Sequence, residues 1–412
     1  MREKKEGSSS GPGGSAKMMT GRTLLACLLL FMVAVSGCKK YEDDTTTASS
    51  SSSESERHNH PFSGYAVVNL VSDTAEYQPA FIDSNLVNAW GMAFGPTGGI
   101  WVSAADKGLS TIYGVNGNTL RPPVAIPFGA DPNGGSPTGQ VYNNSGTFVI
   151  PSTGQMSRFI FATENGSIAA WSSGNSAVTV ADRSTSEAVY KGLEIVNDGG
   201  TWKIYATDFH NGKIDMFDQG FNFTGNNMFS DPTIPSGFAP FNIRRIGQEL
   251  FVTYAKQLAP DNEDDEAGPG NGYVNVFSLN GTFLRRFASA GTLNSPWGLE
   301  KLRTGDGEND QGENDDDDGD HEGDHEGDHD GGTSGQMILV GNFGDGRINV
   351  FDSQGNFVKY ISSNGSPLEI EGLWSISYPP QDNFAYRTVR SRIYFTSAPD
   401  EEDHGIFGYL SK

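Results

Sequence analysis

The sequence predicts an all-β fold in which six repeated sheet units close into a six-bladed β-propeller, and three observations carry that prediction. A strand-opening signature recurs about every fifty residues. Each occurrence is followed by short runs of aromatic and β-branched residues separated by Gly-containing turns. No segment has the apolar periodicity of an amphipathic helix.

The openings are Asn88-Ala-Trp-Gly91, Ser136-Pro-Thr-Gly139, Tyr190-Lys-Gly192, Ala239-Pro-Phe-Asn242, Ser295-Pro-Trp-Gly298 and Glu371-Gly-Leu-Trp374. Second strands follow at Ile100-Trp-Val-Ser103, Phe159-Ile-Phe-Ala162, Ile204-Tyr-Ala-Thr207, Leu250-Phe-Val-Thr253, Ile338-Leu-Val-Gly341 and Ile393-Tyr-Phe-Thr396. Third strands come after a glycine turn, as in Gly212-Lys-Ile-Asp-Met-Phe217 and Gly346-Arg-Ile-Asn-Val-Phe351, and outer strands at Gly281 to Phe287 and Gly355 to Ile361. The last unit ends at Leu410 without an outer strand. Tyr65 to Val71 is predicted to supply it, so that the N-terminal strand completes the last blade and no sheet edge is left open. An open solenoid would need end caps that the sequence lacks.

Four regions are expected. Residues 1–37 read as a signal peptide with an upstream extension: Arg22 flanks an apolar run from Leu24 to Val35, too short to span a bilayer comfortably. The ending Val35-Ser36-Gly37-Cys38 resembles a bacterial lipobox, which implies acylation of Cys38. Cys27 would leave with the signal, so no disulfide is expected. Residues 38–64 are a Ser/Thr/acidic tether with too little apolar content to fold. Lys39 to Asp44 looks like the signals that export lipoproteins to the cell surface. Residues 65–412 form the propeller, and 305–332 an acidic, histidine-bearing insert within blade five that is expected to stay unfolded.

The formal charge of -23 is concentrated there: Asp306 to Asp330 carry fourteen acidic residues. The remaining chain is mildly acidic, and no nucleic-acid partner is expected. A monomer is expected.

The Pro-Trp-Gly-Leu opening and the Gly-Asp-Gly-Arg-Ile-Asn-Val-Phe-Asp352 segment are similar to NHL-type propeller repeats. Asn69-Leu-Val-Ser-Asp73, Asp83 to Gly91, Phe159 to Glu164 and Asp400-Glu-Glu-Asp-His-Gly405 together resemble an uncharacterised family of secreted bacterial proteins, some with sorting tails. That resemblance implies a six-bladed propeller and transfers no activity. The chain shows no sorting tail before Lys412, which fits an N-terminal lipid as the anchor.

First strands of propeller blades line the central channel. Trp90, Trp297 and Trp374, with Lys191, Glu194 and Asn242, are therefore candidates for a ligand pocket, or alternatively core between blades. Asp106, Glu164, Asp208, His210, Asp400 and His404 follow second strands. They could hold Ca2+ or another divalent ion, or simply shape the turns there. The insert could capture metal weakly or be a solvated loop, and the Asp261 to Glu266 loop could share its face. No nucleophile elbow, HExxH, P-loop or dinucleotide fingerprint occurs.

The expectation is a lipid-anchored protein of the bacterial outer membrane or cell surface whose propeller binds a small molecule, glycan or protein. The alternative is a metal-dependent propeller hydrolase, lactonase or lyase with its site at the central channel. A third reading makes the propeller a scaffold and the insert the working part.

Overall fold

The computed structural model describes residues 62–303 and 336–412; Cys38, the signal, nearly all of the tether and the acidic insert lie outside the described residues. From the axis outward, blade 1 is Ala89–Phe94, Ile100–Ala104, Leu109–Tyr113 and Val124–Ala125; blade 2 is Pro137–Tyr142, Phe159–Thr163, Ser167–Trp171 and Val178–Asp182. Blade 3 is Tyr190–Asp198, Thr201–Asp208, Lys213–Phe217 and Phe223–Gly225, and blade 4 is Phe238–Ile246, Glu249–Lys256, Gly272–Ser278 and Phe283–Ser289. Blade 5 is Pro296–Leu302, Met337–Asn342, Ile348–Phe351 and Phe357–Tyr360.

Blade 6 takes Leu373–Ser377, Ile393–Ser397 and Ile406–Ser411 from the end of the chain and Ala66–Ser72 from its beginning. Ala66 faces Ser411 and Ser72 faces Ile406 in an antiparallel ladder, so the ring is closed by hydrogen bonds between the two ends of the domain. A fifth strand not read from the sequence, Phe81–Ile82, runs parallel beside Ala66–Ser72. It is an exposed two-residue edge with no alternation to betray it. Among the described residues no helix is long and apolar enough to cross a membrane.

Middle strands are buried on both faces, which explains their near-continuous apolar runs. Side chains alternate across a strand, so Ile204 and Ala206 enter the wedge between blades 2 and 3 while Tyr205 enters the wedge between blades 3 and 4. Comparable wedges fill the other junctions, ending with Leu70, Val71 and Phe407 of blade 6 against Met92, Val102 and Tyr113 of blade 1. One further cluster, built on Trp90, Trp297 and Trp374, sits apart from these wedges, on the axis.

The recurring opening motif proves to be the sequence of a β-bulge. In every blade the innermost strand slips register against its neighbour, at Ala89/Met92, Pro137/Gln140, Tyr190/Leu193, Pro240/Asn242, Pro296/Gly298 and Leu373/Ile376. A bulge frees backbone groups from the ladder and bends the strand. The bend brings neighbouring innermost strands so close that glycine is required: a Cβ at Gly91 would lie 2.2 Å from the Thr138 carbonyl, and one at Gly139 2.6 Å from the Leu193 nitrogen.

Freed groups still need partners, and threonines at the ends of second strands supply them. Thr207 Oγ1 accepts from the Gly192 N–H (2.6 Å) and donates to the Phe241 carbonyl of the next blade (3.0 Å). Thr396 accepts from Ser375 N–H and donates to the Trp90 carbonyl, which carries the relay across the closing junction. Thr253 accepts from Asn242 N–H, whose amide in turn donates to the Trp297 carbonyl. Thr207→Val should therefore strand a buried donor and a buried acceptor and destabilise the domain by about 2–4 kcal/mol. Thr207→Ser should retain most of the stability, both read from denaturant unfolding midpoints.

Candidate functional site

All innermost strands run the same way along the axis, so their first residues define one mouth of the channel, here called upper, and their last residues the other. An aromatic plug and a small axial cavity lie between them.

The upper mouth is built on Lys191. Its side chain is 2% exposed, with the ammonium 4.8 Å from the centre of the Trp90 ring, 2.5 Å from Glu164 and 3.3 Å from Asp264. Burial alone would lower the ammonium's pKa, but the two carboxylates outweigh it and hold it up at about 12. Around this ion sit groups from other blades. Asn88 Nδ2 donates to Glu402 (2.6 Å) and to Asp106 (3.1 Å). Burial pushes the Glu402 carboxyl up to about 7, with Glu164 and Asp264 adding to the effect against Lys191 and Asn88. Burial likewise pushes Asp265 up to about 6. Glu402 is presented by three successive non-glycine residues with positive φ, Asp400, Glu401 and Glu402. Each such residue costs about 1–2 kcal/mol.

Beneath lies an aromatic plug. Trp90 and Trp374 meet edge to face at 4.1 Å, Trp297 lies 6.1 Å from Trp374, and Phe343 stacks on Trp374 at 3.9 Å. Trp90 and Trp374 are 1% exposed and Trp297 5%. Among the described residues none of the three indole N–H groups finds a hydrogen-bond partner. Below the plug an axial cavity of about 30 Å³, close to the volume of one water molecule, is lined by Gly91, Gln140, Asn242, Trp297 and Ser375.

The lower mouth opens into a cavity of about 400 Å³ walled by Phe94, Tyr142, Trp202, Tyr378, Arg244 and Arg303, with Arg245, Glu194 and Glu300 among its polar groups. A second recess of about 420 Å³ continues from it past Lys301. The arginines are held in place. Arg244 donates to Ser377 Oγ (3.0 Å), and that hydroxyl donates to Glu300 (2.8 Å). Arg303 donates to the Pro379 and Arg390 carbonyls and lies over the Tyr378 ring at 4.6 Å. Glu194 accepts the Arg245 N–H at 2.8 Å, and burial raises its carboxyl against the pull of Arg244. Four cationic side chains thus face two carboxylates, in a chain whose formal charge is -23.

The residues singled out in the sequence are distributed over these layers. Lys191, Glu164 and Asp106 stand at the upper mouth, the tryptophans form the plug, Asn242 lines the axial cavity and Glu194 belongs to the lower mouth. The other candidates for metal do not join them. Asp208 is fully buried and accepts from the Val189 N–H and from Asn211 within its own turn. His210 Nδ1 is paired with the Asp261 carbonyl at 2.9 Å. His404 Nδ1 lies 2.8 Å from Asp73, with Asp400 at 3.9 Å from its other nitrogen. Among the described residues no three His, Cys, Asp or Glu side chains gather as a metal site. Of the two acidic loops, Asp261 to Glu266 stands at the upper mouth, where Asp264 and Asp265 face Lys191, and the insert lies outside the described residues. Arg244, Arg245 and Arg303 were missed, because a search by net charge averages local cations away. The adjacent pair Arg244-Arg245 ending an innermost strand was the available signal.

No family model matches the chain. "Uncharacterized protein L690" of Acanthamoeba polyphaga mimivirus is 33% identical over 360 residues, covering 84% of this chain and 85% of its own. "Uncharacterized protein R648" of the same virus is 30% identical over 361 residues, covering 84% and 80%. Among solved structures, virginiamycin B lyase from Staphylococcus aureus aligns with a TM-score of 0.45 at 11% identity, over 84% of this chain and 99% of that one. The gluconolactonase XC5397 from Xanthomonas campestris aligns with a TM-score of 0.44 at 12% identity, over 84% and 96%. The expected confinement to a family of secreted bacterial proteins is overturned by the viral relatives, which match over most of their length.

The upper mouth predicts a pH dependence. Glu402 ordinarily titrates near 4.5 and in the fold near 7, so between those values the folded state keeps a proton that the unfolded chain has lost. Stability contributed by this group therefore falls as pH rises through that window. Asp265 acts in the same sense from 3.8 to about 6. Glu402→Gln should flatten the decline in unfolding free energy between pH 4.5 and 7.5; an unchanged slope would refute the assignment.

Proposed function

This chain belongs to the family of the mimivirus proteins L690 and R648, and we propose that it is a binding propeller whose working site is the lower mouth, taking a small anionic ligand with an aromatic or apolar body. The observation that carries this reading is the cavity of about 400 Å³ in which Arg244 and Arg303 are immobilised beside Trp202, Tyr142 and Tyr378. Its size and its mixture of apolar walls with a few fixed polar groups are those of small-ligand sites. A guanidinium offers a planar fork matched to carboxylate or phosphate. Because Ser377 and the backbone carbonyls already hold the arginines, little side-chain freedom remains to be lost on binding.

A metal-dependent hydrolase, lactonase or lyase acting at the channel is the rival. It receives less support, because Asp208 and His210 serve separate local contacts. Acylation of Cys38, and with it placement at a membrane or cell surface, stays part of the proposal on the sequence pattern alone. Mass spectrometry of the N-terminal peptide from a lipoprotein-processing host would test it, an unmodified Cys38 with an intact leader counting against it.

For the binding site, phenyl phosphate, benzoate and inorganic phosphate are suitable calorimetric probes. At least one of the two aromatic anions should bind with a one-to-one stoichiometry, weaken as salt rises, and lose about tenfold or more in affinity in Arg244→Gln, the scale of one charge-assisted hydrogen bond. Saturable binding by none of the three, or binding indifferent to Arg244→Gln in a folded variant, would sink the reading.

A further inference from the structure

We infer that the upper mouth is a second, separate binding site, which takes the primary ammonium group of a small amine. The inference does not depend on the anion site at the opposite mouth. Lys191 displays how the pocket receives such a group: an ammonium over the face of Trp90, ringed by carboxylates. Cation–π attraction and charge-assisted hydrogen bonds favour a cation there. One ammonium does not satisfy the surroundings. Glu164, Asp264, Asp265 and Glu402 each interact electrostatically with Lys191, and Asp106 is bonded through Asn88 to the same group. Lys107 is the further cation that faces Asp106.

An independent observation concerns hydrogen bonds rather than charge. Asn88 is 5% exposed, and its amide sits between Asp106 and Glu402, spending its donors on them and leaving Oδ1 without a partner among the described residues. Asp265 has the Ser295 hydroxyl beside it as a donor. A buried acceptor without a donor, as at Asn88, calls for a ligand that brings donors only. An ammonium has three donors and no acceptor. A divalent metal ion needs several oxygen atoms converging within about 2.5 Å, and no group of three acidic or histidine side chains converges so among the described residues. Donor arms spread around a nitrogen tolerate the wider spacing. Glu402 and Asp265 each keep part of their surface exposed to solvent.

The test uses the full chain and titrates putrescine and CaCl2 separately by calorimetry at pH 8 into the parent, Glu402→Gln, Asp265→Asn and Arg244→Gln. The acidic insert is present in all four and cancels in the comparison. Putrescine should bind the parent and Arg244→Gln alike, with about tenfold or greater loss in Glu402→Gln and in Asp265→Asn. Circular dichroism identifies a variant that fails to fold, and the other then carries the comparison. Equal putrescine isotherms in parent and folded carboxylate variants would overturn the inference. So would a Ca2+ isotherm that alone responds to those substitutions. Loss confined to Arg244→Gln would assign the amine to the other mouth and likewise overturn it.

Discussion

The structure depends on a hydroxyl relay around the axis. A propeller must bring six strands together at its centre, and strands so crowded cannot all keep regular ladders to their own sheets. Each innermost strand bulges, and the bulge leaves an N–H without its ladder partner and a carbonyl turned toward the next blade. Thr207 and Thr396 solve both problems with one atom, accepting from their own blade and donating to its neighbour. Thr138 and Gln140 make equivalent links, to the Tyr190 and Gly91 carbonyls. Apolar wedges hold the blades together without direction, whereas these bonds fix how far each blade is rotated and how close it stands to the axis.

That geometry also decides what the axis can do. Small residues at the bulge, such as Gly91 and Gly139, let the strands approach until the indoles between them close the channel. The indole cluster thus stands between the two mouths. Because every innermost strand points the same way, its opening residues and its closing residues are sorted to opposite faces, and a difference in composition along the strand becomes a difference between faces. Lys191 and Glu194 are three residues apart on one strand. Lys191 faces Glu164 and Asp264, while Glu194 faces Arg244 and Arg245.

Much of this fold was legible because its physics repeats. The six openings, the doubly apolar second strands and the unfinished last unit each follow from a constraint imposed once per blade, and Ala66–Ser72 does complete blade 6. The threonine relay was legible too, in the shared final residue of Ile204-Tyr-Ala-Thr207, Leu250-Phe-Val-Thr253 and Ile393-Tyr-Phe-Thr396, but only to a reader who already asks where a bulge sends its N–H. The site was less legible because it does not repeat. Arg244, Arg303 and Trp202 come from different blades at different offsets, and apart from the Arg244-Arg245 pair nothing in their local sequence distinguishes them from solvated residues. Asp208 and His210 show the converse: a pattern that suggested metal ligands arises from turns that need a carboxylate to accept local N–H groups.

Charge on this protein has to be read by place. A formal charge of -23 argues against an anionic ligand if it is spread evenly, yet ions in solution screen exposed charges beyond about 8 Å at physiological salt. What a ligand at the lower mouth meets first is the local set, Arg244, Arg245, Lys301 and Arg303 against Glu194 and Glu300. The aromatic plug reinforces the separation. It interposes Trp90, Trp297 and Trp374 between the two mouths, so the carboxylates above cannot pair with the guanidinium groups below. Among the described residues the three indole N–H groups find no partner, a cost the fold bears at its centre, and this apolar layer stands between the carboxylates around Lys191 and the arginines of the lower mouth.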